Sequence, residues 1–226
     1  MAARQTLDHQ PRSGLPPGKN QRDRLIRLAV DHPTWALGFG DEVGWSRLAQ
    51  APQHRWVEGR AVTRLQELTC AKGEPDPKAF ACYGLLVGRS RPQAEQMQLR
   101  VVAGRPVSAV TTDFLSWGCD RLAEQGITAL LLVWDNALWP TSQAVRSWIR
   151  AHNRRVKASQ RGVRIVAYWL PVKSPWLNPI EPKWVHGKRA VSEPNRQLRA
   201  AELEARVRMY YACTAEAHWL MPKKVA

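Results

Sequence analysis

The chain has no long apolar run: the most notable, ITALLLVW at 127–134, falls far short of the roughly 20 residues that a membrane-crossing helix needs. Its N-terminus, MAARQTLDHQPRSG, has no apolar core of the kind a secretory leader carries. A soluble, intracellular protein without a membrane partner is expected. The four cysteines, Cys70, Cys82, Cys119 and Cys213, form no CxxC pair, which argues against a zinc knuckle or a disulfide framework and fits reduced structural thiols. Acid is scarce as well: 19 Asp and Glu stand against 34 Lys and Arg, a formal net charge of +15. Such an excess implies a polyanionic partner, nucleic acid first, although a basic membrane-surface or ribosome-associated protein would share the number.

What is present suffices for one sizeable domain: 226 residues, 44% of them hydrophobic. Residues 1–20 are rich in Pro and Gly and read as a mobile arm, followed by a short helix, RDRLIRLAVDH, that ends before Pro33. TWALGFGDEV then alternates so that Trp35, Leu37, Phe39 and Asp41 share one strand face. HRWVEG at 54–59, KAFACYGLLVG at 78–88 and MQLRVVAG at 97–104 follow as strands without helices between them, as in an antiparallel meander. A helix at 108–126, capped by Thr111 or Thr112 and closed by Gly126, leads to ITALLLVWD, apolar enough for a strand buried on both faces. A second helix, TSQAVRSWIRAHN, has Thr141 or Ser142 as cap and Val145, Trp148 and Ile149 inward; a strand at 162–171 and a basic helical tail from about Pro182 complete the order. The succession argues for an α/β fold with a mixed sheet and helices on its faces.

Between Asp135 and Glu181 lie 45 residues with eight Arg or Lys (Arg146, Arg150, Arg154, Arg155, Lys157, Arg161, Arg164, Lys173) and no acid. Acids bordering a polyanion site weaken binding unless a cation neutralises them, and a divalent cation would also give them a task. Mg²⁺ is held by carboxylates, water and phosphate oxygens, and paired ions clamp the attacking and leaving oxygens of a phosphodiester. Asp41 at the end of the first strand, Asp135 at the end of LLLVW and Glu181 at the opening of a helix could supply the ligands. If the two strands are parallel neighbours, their acids meet near the carboxyl ends. Each acid has a local alternative. Glu42 competes with Asp41, Asp135 could form a turn with Asn136, and Glu181 could close a capping box begun by Asn178 with Pro179 as first helical residue.

GDEVGWSRLAQ, LLLVWDNALWP and YWLPVKSPWLNPIEPKW together resemble the three catalytic blocks of the DDE transposases of bacterial insertion sequences, more narrowly the six-thirty group of the mariner-like superfamily. The resemblance runs over about residues 22–215. It implies a ribonuclease H-like fold with a mixed five-stranded sheet and two Mg²⁺, replaceable by Mn²⁺, bound by Asp41, Asp135 and Glu181. It further implies nicking at transposon ends, followed by attack of the freed 3′-hydroxyl on target DNA. Asn136 and Asn178 then become donors that orient Asp135 and Glu181, with turn and cap roles as the alternative. Lys183, His186, Lys188 and Arg189, with Arg154, Arg155, Lys157 and Lys173, become DNA contacts, and Trp139, Trp176 or Trp184 could lie near the bases.

Members of this family carry an N-terminal helix-turn-helix region, and about 33 residues precede the first catalytic strand here. The expected organisation is therefore a mobile basic arm and linker helix at 1–33, a catalytic domain at 34–215 and a tail at 216–226. A homodimer and a separately encoded helix-turn-helix protein are expected partners beside DNA, in a bacterial, nucleoid-associated setting. Two rival readings fit the same residues. One is a ribonuclease H-like nuclease or resolvase, for which Glu193 is the nearest fourth acid; the other is a non-catalytic basic remnant that only binds nucleic acid.

Overall fold

The structure, a computed structural model, describes residues 17–47, 54–55, 63–64, 72–88, 95–103, 108–134, 142–171, 174–192 and 196–220. In chain order the elements are α1 (Pro17–Asp31), β1 (Trp35–Ser46), β2 (His54–Arg55), β3 (Thr63–Arg64), β4 (Ala79–Gly88), β5 (Gln96–Ala103), α2 (Ser108–Ala123), β6 (Ala129–Trp134), α3 (Gln143–Ser159), β7 (Arg164–Trp169), α4 (Ile180–Val191), α5 (Ala200–Tyr210) and β8 (Trp219–Leu220). The main sheet has the order β7-β6-β1-β4-β5-β8. β4 runs antiparallel to β1 and β5, whereas β6 is parallel to β1 and β7. Five long strands thus form the expected mixed sheet, and the two-residue β8 extends its edge.

Two apolar layers cover the sheet. Leu37, Phe39, Val43 and Trp45 of β1 pack with α1, α4 and α5, while Ala36 faces the opposite layer with α2 and α3. Strand alternation alone sets this division. β6, ALLLVW, is buried throughout, as a central parallel strand covered on both faces must be. α3 starts where Ser142 accepts the amide of Val145 at 3.3 Å, and it buries Val145 and Ile149. Gly126 closes α2 at φ 75°, a conformation that suits glycine.

Several expectations fail where tertiary contacts outrank local signals. Of HRWVEG, His54 and Arg55 pair with β3 in a separate two-stranded ribbon and not with the main sheet, and 56–59 lie outside the described residues. Thr111 does not cap α2, which already begins at Ser108; Thr111 is buried, with its hydroxyl 3.0 Å from that of Tyr83. α1 is longer than expected and is no loose linker, because Leu25 and Ala29 are buried in the core; residues 1–16 lie outside the described residues. The basic tail is two helices, and the first starts at Ile180, not Pro182. Residues 216–220, within the segment expected as a tail, are tied to the sheet. The Arg100 guanidinium stacks 4.1 Å from the Trp219 ring and pairs with Glu216, so β8 is held to β5.

Candidate active site

β1 does not end at Asp41 but continues to Ser46. Asp41 nevertheless stands where its surroundings change. The parallel ladder with β6 closes at Gly40 opposite Trp134, while the antiparallel ladder with β4 continues with Asp41 opposite Gly84. Trp134 is the residue before Asp135, which lies outside the described residues together with Asn136, Trp139 and Lys173. The expected parallel pairing of the two acid-bearing strands is therefore present.

The side chain of Asp41 is 8% exposed and points to the layer formed by α4. There the indole of Trp184 donates from Nε1 to Asp41 Oδ2 at 2.8 Å. Trp184 is accordingly a buried ligand of the acid, not a platform for DNA bases. Its ring lies against β4 only because position 84 is glycine: a Cβ there would fall 2.4 Å from the far edge of the indole. The same accommodation occurs at Gly187, whose missing side chain leaves room for the Tyr211 hydroxyl, which donates to the Lys183 carbonyl at 2.7 Å. Trp45, Trp184 and Tyr211 meet edge to face with centroids 5.4 to 6.2 Å apart, and so fix the rotation of α4.

Glu181 sits in the first turn of α4, where the helix dipole favours a carboxylate. The capping-box alternative does not hold. Pro179 occupies the cap position without a side-chain hydrogen bond. Asn178 is fully buried and donates from Nδ2 to the Gly40 carbonyl at 3.1 Å, which binds the LNP segment to the residue before Asp41. Its side-chain amide thus serves the Asp41 side, while its carbonyl accepts the Glu181 amide at 3.1 Å. Pro182 falls within the first helical turn, where an amide hydrogen is not needed.

Asp41, Glu42, Glu181, Trp184, Val185 and Lys188 line one cleft of about 360 Å³. Glu42 borders it too, but strand alternation turns its side chain towards the opposite layer, where it acts on Tyr83 and helps burial raise that phenol. Asp41 is therefore the better match to Glu181. Glu181, Trp184 and Lys188 share a face because their spacing, three then four residues, follows the helical repeat; that signal was available in the sequence and identifies Lys188 as the cation beside the acids. Lys183 instead pairs with Glu95 at 2.9 Å, and His186 and Arg189 are exposed on α4. Arg154, Arg155 and Lys157 are carried by α3 on the other face, apart from the cleft. Trp176, in the short 3₁₀ turn Pro175–Leu177, is 70% exposed.

Among the described residues, no three His, Cys, Asp or Glu side chains come together as a cation site. Asp41 and Glu181, oxygen donors from two different elements on one cleft, are the donor chemistry that Mg²⁺ or Mn²⁺ takes, so these residues fit such an ion.

A family model described as DDE superfamily endonuclease matches residues 90–204, just over half of the chain; the span takes in Asp135 and Glu181 and leaves out Asp41. By structure the chain is similar to the Mos1 transposase paired-end complex with left transposon end, with a TM-score of 0.52 at 14% identity over 95% of this chain and 61% of that one. The Mos1 mariner paired end complex with Mn gives the same values. The Mos1 Strand Transfer Complex gives a TM-score of 0.50 at 14% identity, over 95% and 60%. The chain thus spans less than two thirds of those transposase chains, and the likeness is one of fold, the ribonuclease H-like arrangement. No curated protein matches it in sequence.

Proposed function

The chain belongs to the DDE superfamily endonucleases, and on that basis we propose that it is the catalytic domain of a transposase, which cuts DNA at transposon ends and joins the freed 3′-hydroxyl to target DNA. The observation that carries the reading is the single cleft shared by Asp41 of β1 and Glu181 of α4, next to where the β1–β6 ladder ends. The Mos1 complexes that share the fold are described with a transposon end and with Mn, which supports DNA and a divalent cation as partners here.

In this proposal Asp41, Asp135 and Glu181 hold two Mg²⁺, with Mn²⁺ as substitute. When bound, such ions supply Lewis-acid activation of the nucleophile and stabilisation of the leaving oxygen in an in-line displacement at phosphorus. The chain's own side chains set the geometry. Trp184 holds the Asp41 carboxylate by one oxygen, and Asn178 holds the backbone just before it. Lys188 presents an ammonium beside the acids, suited to a phosphate oxygen of the strand being cut. His186 and Arg189, exposed on the same helix, extend that positive surface along a phosphate backbone. No protein nucleophile is required, which suits the burial of Cys82 and Cys119.

The narrower placement, in the six-thirty group of bacterial insertion sequences, rests on the LNP motif before Glu181. With it come a homodimer, a helix-turn-helix protein that reads the ends and a nucleoid setting, all expectations of the resemblance. The test is Mg²⁺-dependent nicking of plasmid DNA. Asp135→Asn should abolish it while salt-sensitive DNA binding stays near wild type, because the acid serves the cation and not the phosphate. Equal nicking by variant and wild type would overturn the reading.

A further inference from the structure

Several arginines among the described residues are neutralised by carboxylates. Arg47 pairs with Glu74, Arg100 with Glu216, Arg196 and Arg206 with Glu202, and Arg208 with Glu204. The outer edge of the sheet at β7 differs. Arg150, Asn153, Arg154, Lys157 and Arg164 line a groove of about 430 Å³ between α3 and β7. Its four cations are exposed, and among the described residues no carboxylate pairs with any of them. No acid occurs anywhere between residues 136 and 180. Arg150, Arg154 and Lys157 recur at four and then three residues, and so form one stripe along α3.

The groove has a firm floor. Asn153 donates to the Ile165 carbonyl at 2.7 Å and accepts the Ile165 amide at 2.8 Å, and His152 lies 2.8 Å from the Val163 carbonyl. These contacts bind α3 to the strand edge that, among the described residues, has no neighbour in the sheet. The stripe and Arg164 are thereby held at fixed separation, which lowers the entropy lost on binding an extended anion.

The groove is remote from the acids. Arg164 is level with Ala129, and Ala129 with Trp35, so it stands six residues before Asp41 along the strands, about 20 Å at ~3.3 Å per residue, and two strands aside. α3 covers one sheet face, whereas α4 with Glu181 covers the other.

We infer that this groove binds the phosphate backbone of a second DNA duplex, separate from the one at the acid cleft; the identification of the cleft as a DNA site rests on the function proposed above. The test uses the full chain without divalent cation, so that cleavage plays no part; if the acid cleft binds no DNA, the glutamate variant below loses the first duplex itself, which separates failure of that reading from failure of this inference. One duplex of arbitrary sequence is immobilised, protein is added, and capture of a second, labelled duplex is measured across a salt series. Wild type should capture it. Arg154→Glu/Lys157→Glu/Arg164→Glu should lose capture at least tenfold, with the slope of log affinity against log salt for that step lower by about 3, near 0.9 for each phosphate contact. The neutral variant Arg154→Gln/Lys157→Gln/Arg164→Gln should fall between.

Unchanged capture by the glutamate variant would overturn the inference, whether bridging then arises from a dimer or from another surface. Absence of capture by wild type, with a lower salt slope for the first duplex in the variant, would place the groove on the same duplex and also overturn it. A loss seen only in the glutamate variant, together with a lower melting temperature, would assign the effect to folding and count against it.

Discussion

Replacing Trp184 by Phe removes the one indole hydrogen that reaches Asp41 while keeping an aromatic body against Trp45 and Tyr211. The bond is 2.8 Å long and ends on a carboxylate that is only 8% exposed. A hydrogen bond to a charged group contributes about 1.5–3 kcal/mol, and lost partners of ligating groups typically weaken a cation site about 10–100-fold. Trp184→Phe should therefore weaken Mn²⁺ binding, measured calorimetrically, by that factor and slow Mg²⁺-dependent nicking in parallel. The geometry adds an internal control. Gly84→Ala places a carbon 2.4 Å from Cη2 and 2.5 Å from Cζ2 of Trp184, ring atoms that phenylalanine lacks. Alone it should cost about 1–3 kcal/mol in urea unfolding, but little in the Trp184→Phe background, giving a coupling of about 1 kcal/mol or more. Strictly additive stabilities, or unchanged Mn²⁺ affinity in Trp184→Phe, would refute the reasoning.

Asn178→Leu should destabilise the chain by about 1–3 kcal/mol, because it leaves the buried Gly40 carbonyl without its side-chain donor; it should reduce nicking more than melting temperature alone explains, since the lost bond adjoins Asp41. Hydrogen bonds from Arg196, followed by the Arg196 and Arg206 charges, hold the Glu202 carboxyl down from the ordinary 4.5 to about 2. Its folded value lies below its unfolded one, so the contribution to stability is complete above the ordinary carboxylate range and disappears as pH falls from about 4.5 through about 2. Carboxyl NMR titration should show the low midpoint, and high salt should move it upward because the group is exposed.

The parts of the fold legible in the sequence were those where one element decides its own environment. The unbroken apolar run of β6, the Ser142 cap of α3 and the alternation that turns Asp41 inward are all of this kind. Phase along β1 even separated Asp41 from Glu42, since adjacent strand residues face opposite layers. Readings failed where a side chain had two uses. Asn178 and Thr111 both look like helix caps locally, but each is taken by a buried partner from a distant strand. Trp184, next to lysine in a basic segment, looked like a DNA contact until Gly84, a hundred positions earlier, proved to be the space it fills. The basic residues of α3 belong in sequence to the stretch between the acids, yet α3, which joins the parallel strands β6 and β7, lies over the other sheet face. Sequence distance could not reveal that.

The central claim is that Asp41 and Glu181 act together on one divalent cation site. Electron paramagnetic resonance of Mn²⁺ added to wild type, Asp41→Asn and Glu181→Gln tests it without any DNA substrate. Wild type should bind Mn²⁺, and each variant should bind at least tenfold more weakly at unchanged melting temperature. Equal binding by all three proteins would contradict it.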